Sequence, residues 1–69
     1  MNDNAINVEA VELEAVIREL VYRLNKTREG SAAHRMIELQ LIGIRQGSEL
    51  GGLIIEEFAM RAELALPVR

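Results

Sequence analysis

The chain has 69 residues, a formal charge of −3 and a pI near 5.1, so it forms one domain at most and lacks the basic surplus of a nucleic-acid binder. It contains no cysteine, which rules out disulfides and thiolate metal sites and fits a reducing, cytoplasmic setting. A core this small needs a further staple, and self-association is the expected one.

The first residues, Met1-Asn2-Asp3-Asn4, are polar and acidic, unlike a signal peptide. No run of about 18 apolar residues occurs anywhere, so no membrane-spanning helix is expected. Asn4 or Asn7 can cap a first helix by accepting a free backbone N–H of its first turn. That helix is predicted over about Val8–Arg28. Ile6, Ala10, Leu13, Ile17, Leu20 and Leu24 alternate spacings of four and three along one face. Glu9, Glu12 and Glu14 near its start and Arg23, Lys26 and Arg28 near its end suit the helix dipole. Glu14–Arg18 and Glu19–Arg23 are ion-pair spacings in the favourable order.

Glu29-Gly30-Ser31 interrupts the pattern. Gly30 can take the left-handed conformation that closes a helix, and Ser31 can cap the next, which predicts an antiparallel helical hairpin. The second helical segment is predicted over about Ala32–Ala65, stopped by Pro67. Its inner stripe is Ile37, Leu41, Ile44, Ser48, Gly51, Ile55, Phe58, Ala62 and Ala65. Because the phase holds through Gly47–Gly52, one long helix is expected. The alternative is a break in which Gly47 ends one helix and Ser48 caps another. Gly43, Gly47 and Gly51 recur every four residues, a spacing that lets a neighbouring helix approach closely.

A continuous second helix would outrun the first. Its end, with Phe58, Met60, Leu64 and Leu66, would overhang bare, and Met36, Leu39, Gly43, Gln46, Leu50 and Leu53 would form a second stripe joined by Ile42 and Ile54. The expected fold is therefore all-α: a two-helix antiparallel hairpin that forms a homodimer, a four-helix arrangement. The expected dimer interface is Met36, Leu39, Gly43, Leu50, Leu53, Ile54 and Phe58.

A weaker outer stripe on the first helix, Val8, Val11, Ala15, Arg18 and Tyr22, is the candidate partner-binding face, because Tyr and Arg are enriched at interface hot spots. The bland reading is ordinary surface. Charge is polarised: Arg23, Lys26, Arg28 and Arg35 gather near the turn, while acidic residues such as Glu9, Glu12 and Glu49 gather at the other end. Such an acidic end can steer docking on a basic surface, or simply be a solvated face. His34 and Glu38 are spaced to share a metal, but one histidine without thiols more readily makes a helix-turn hydrogen bond; no metal or cofactor is expected. The chain lacks a Ser–His–acid constellation, and Gly47-Ser48-Glu49-Leu50-Gly51-Gly52 lacks the lysine of a phosphate loop, so no enzyme activity is expected.

This compact, acidic, cysteine-free helical pattern with its break at Glu29-Gly30-Ser31 resembles small bacteriophage-encoded host-takeover proteins of the anti-quorum-sensing, anti-activator kind. The resemblance is one of architecture along the whole chain, and it carries over no individual residue. It implies a dimer in the host cytoplasm that binds a transcription regulator of the LuxR type and keeps it off DNA; takeover proteins of this size also bind pilus or motility ATPases. The expected function is that of a non-enzymatic inhibitor or adaptor. A scaffolding subunit and a small DNA-binding regulator using the basic turn are the alternatives.

Overall fold

The computed structural model describes residues 8–66. Asn4, Ile6, Asn7 and Pro67, which figure in the expectations above, lie outside the described residues. Three helices follow in order: α1 (Val8–Lys26), α2 (Ala32–Gly47) and α3 (Glu49–Met60), with no strand among the described residues. The all-α expectation is met. The single long second helix is not: the chain breaks at Ser48, the alternative position.

The turn between α1 and α2 forms for the expected reasons. Gly30 has φ +90°, a conformation that strains any side chain, and the Ser31 hydroxyl accepts the His34 backbone N–H at 3.1 Å to cap α2. Thr27 fastens the same corner: its hydroxyl lies 2.9 Å from the Leu24 carbonyl oxygen and 2.9 Å from His34 Nδ1. His34 Nε2 faces a Glu38 carboxylate oxygen at 3.5 Å. His34 is thus hydrogen-bonded into the corner through Thr27, with Glu38 beside it taking its hydrogen bond from Arg35, and no group of three metal-ligating side chains occurs among the described residues.

Ser48 makes the second joint by itself. Its backbone is extended, with φ −143° and ψ 123°; its N–H donates to Ile44 O at 3.0 Å, closing α2, and its hydroxyl accepts the Gly51 N–H at 2.9 Å, opening α3. Gly51 is buried against Ile44. A β-carbon there would lie 2.6 Å from Ile44 Cγ2 and 3.2 Å from Ile44 O, so the fold of α3 onto α2 requires glycine at that place. Gly52 is nearly as tight, with a β-carbon position 3.3 Å from Arg45 O.

Helix α3 then runs back toward the turn, alongside α1. Arg18 lies over the Phe58 ring at 5.7 Å from its centroid, and about two turns further along α1 Asn25 Nδ2 donates to Glu63 O at 3.1 Å. The result is an up-down-up arrangement of three helices, in which α3 touches both others. Its end is a left-handed cap: Ala62 has φ 61°, Ala62 N–H donates to Ala59 O, and Glu63 N–H donates to Phe58 O at 3.0 Å. This cap turns Leu64 and Leu66 back onto the core.

The core is Ile17, Val21 and Leu24 of α1, Leu41 of α2, Ile55 and Phe58 of α3, and Leu64. Leu13, Leu20, Ile37, Ile44, Ile54 and Leu66 pack around it. The expected overhang is thereby removed. Phe58, placed in the sequence reading at a dimer interface, is 3% exposed inside a single chain, and Leu64 is buried with it, while Met60 stays in solvent. The physical reason is the joint at Ser48. Once α3 doubles back, the apolar end of the second segment covers the hairpin rather than projecting from it.

Candidate functional site

Two of the apolar surfaces left among the described residues stand out. The first is the outer side of α1. Val8, Val11, Ala15, Arg18 and Tyr22 are all exposed, Val11 at 63% and Tyr22 at 59%, so the structure brings the five residues of the expected partner-binding face together on one side of one helix. Two of them are engaged within the chain. Arg18 pairs with Glu14 and also lies over the Phe58 ring, which Arg61 covers at 4.9 Å. Lys26 sits over the Tyr22 ring at 5.1 Å from its centroid. Tyr22 is therefore an exposed aromatic with a cationic neighbour over its ring.

The second surface is a groove of about 600 Å³ between α1 and α2. Leu13, Val16 and Leu20 form one wall, and Gln40, Gly43 and Gly47 the other. It faces away from α3, which packs on the Arg18 and Asn25 side of α1. Val16 is half exposed although its neighbours on the same face are apolar. Nothing lies within 4 Å of a β-carbon built at Gly43 or Gly47, so these glycines are not spent on packing within the chain. At one end the groove opens beside Ser48 onto Glu9 and Glu12.

The seven residues expected at a dimer interface do not form one face. Met36, Leu39, Leu50 and Leu53 are exposed, and Gly43 lines the groove. Ile54 is half buried against the core and Phe58 is wholly inside it. The break at Ser48 separates the set: Leu50, Leu53, Ile54 and Phe58 travel with α3, and none of them lines the groove that holds Gly43. Sequence reasoning missed Val16 and Gln40. The signal for Val16 was present, since it keeps helical spacing with Leu13 and Leu20 of the core stripe.

A further depression, of about 550 Å³, lies where the chain end crosses α3. Leu53, Ile55, Ala59, Leu64 and Leu66 line it together with Arg45, Glu49 and Glu56. Its mixed charges at the rim define no ligand chemistry. No described helix is long and apolar enough to cross a membrane.

Comparison with protein-family models, curated proteins and solved structures found no match to this chain.

Proposed function

We propose that this chain is a non-enzymatic protein-binding module, an adaptor or inhibitor that covers a functional surface of another protein with the outer face of α1. The observation that carries the reading is the row Val8, Val11 and Tyr22, apolar and more than half exposed along one helix, with only Lys26 lying over the tyrosine ring. Isolated exposed apolar side chains are ordinary, but a row of them ending in an exposed tyrosine has the composition of an interface centre. Self-association belongs to the same reading, since Met36 and Leu39 of α2 and Leu50 and Leu53 of α3 also remain in solvent. The partner class to test first is a transcription regulator of the quorum-sensing kind, held away from its DNA.

The test is competition. A purified LuxR-type regulator bound to its operator is titrated with the chain, and release of the DNA is followed by fluorescence anisotropy. Tyr22→Asp should weaken the competition by about 2 kcal/mol, close to thirtyfold, while leaving the helical circular dichroism unchanged. Equal potency of the variant and the natural chain would show that the α1 face is not the one used.

A further inference from the structure

We propose that the groove between α1 and α2 seats the same groove of a second copy, the two copies being reversed about a two-fold axis that passes beside Gly43. The proposal rests on the reading that the chain self-associates. It adds which face meets which, and in what direction.

The middle of the groove carries no charge. Leu13, Val16, Leu20, Gln40, Gly43 and Gly47 line it, so two such middles can meet without desolvating an ion. Charged side chains stand beyond both ends. Glu9 and Glu12 border one end, and neither makes an ion pair among the described residues. Toward the other end, two helical turns beyond Val16 on the same side of α1, stands Arg23, whose Nε lies 3.1 Å from Glu19 in an exposed pair.

Direction follows from these charges. Glu12 and Arg23 lie about 8 Å to either side of the level of Ile17 and Arg18 along α1, taking about 1.5 Å per residue. A two-fold pairing with the helices running the same way sets each α1 across from the second copy's α2, so Glu12 and Arg23 of the two copies do not meet. A reversed pairing about the centre sets each Glu12 against the second copy's Arg23, twice over. Of these two arrangements the reversed one joins Glu12 to Arg23, and a two-fold axis closes it at two copies, with no open growth.

The glycines set how closely the pair can approach. A β-carbon at Gly43 or Gly47 would meet nothing within its own chain, so the α2 backbone is bare toward the axis. A second α2 can cross there at short range, where a larger side chain would hold it off.

Sedimentation equilibrium at micromolar concentration tests this with four proteins. The natural chain should be a dimer. Glu12→Arg alone and Arg23→Glu alone should each loosen the dimer about tenfold, because each puts like charges together at both symmetric contacts. Mixing equal amounts of those two variants should restore dimers of natural strength, since every cross-copy contact in the mixed pair again joins unlike charges. Gly43→Leu should sediment as a monomer with unchanged helical circular dichroism. A natural chain that is monomeric overturns both self-association and this interface. A dimer indifferent to all the substitutions leaves self-association standing and overturns this face. Two weakened charge variants that fail to rescue each other overturn the reversed direction.

Discussion

The two sides of the α1–α2 hairpin are built from similar residues and end up in opposite conditions. One side is closed by α3 and by Leu64 and Leu66 after it, so that Val21, Leu41, Ile55, Phe58 and Leu64 are buried. The other is open along Leu13, Val16, Leu20, Gly43 and Gly47. The glycines mark the difference best. Gly51 lies on the closed side, where an added β-carbon would stand 2.6 Å from Ile44; Gly43, two turns earlier on the same repeat, faces empty space. Equal spacing in the sequence therefore conceals two uses of the same residue. At Gly51 glycine permits a contact within the chain. At Gly43 the chain makes no such use of it, although glycine in a helix costs about 0.5–1 kcal/mol relative to alanine.

The closed side is broken most severely at its centre. Phe58 joins all three helices through the core and lies under the guanidinium groups of Arg18 and Arg61. Phe58→Ala should cost about 3–5 kcal/mol, comparable to the whole stability of a domain this size, so the variant should lose its cooperative thermal transition by circular dichroism. Retention of a sharp transition within a few degrees of the natural one would mean that α3 does not hold the hairpin in this way.

Next in size is Gly51→Ala. Helix propensity alone predicts a gain in stability, whereas the contact with Ile44 predicts a loss of about 1–3 kcal/mol, because the neighbour includes the Ile44 carbonyl as well as its side chain. The sign of the change in urea midpoint decides between a folded-back α3 and a continuous helix, in which no such contact exists. Ser48→Ala probes the same joint more gently. It removes the hydroxyl that accepts the Gly51 N–H, and should lower stability by about 1 kcal/mol in the same urea titration. A joint that is not capped this way would show no loss, since alanine is a better helix former than serine.

Much of this architecture was legible in the residues. The α1 stripe, the Gly30 turn, the Ser31 cap and the pairs Glu14–Arg18 and Glu19–Arg23 rest on local chemistry and are present as expected. The outer face with Tyr22 was also visible, because exposure follows from standing opposite the core stripe. The direction of α3 was not. Ile37, Leu41 and Ile44 before Ser48, and Gly51, Ile55 and Phe58 after it, stay in helical phase whether the rod continues or doubles back. One extended residue preserves the pattern, and the deciding interaction is Ile44 against Gly51, a tertiary contact with no periodic signature. The same ignorance displaced Val21 from the expected core, since only a third helix on that side buries it. It also placed Phe58 at an interface between chains, because an overhang and a folded-back lid call for the same apolar residues.

The smallest effect is also the most informative about the open side. Gly43→Ala adds a β-carbon that touches nothing in its own chain, so a protomer kept dilute should gain about 0.5–1 kcal/mol in urea unfolding from helix propensity alone. Gly51→Ala should move the other way under identical conditions, and the opposed signs would separate the two sides of the hairpin with substitutions of the same chemistry. Concentration then adds a second reading. If the groove closes on a second copy, the added methyl group holds the two α2 backbones apart, and the gain seen at high dilution should shrink or reverse as the chain is concentrated. A gain that is the same at every concentration would leave Gly43 a solvent-facing glycine with no structural use, and the open side a surface that meets nothing of its own kind.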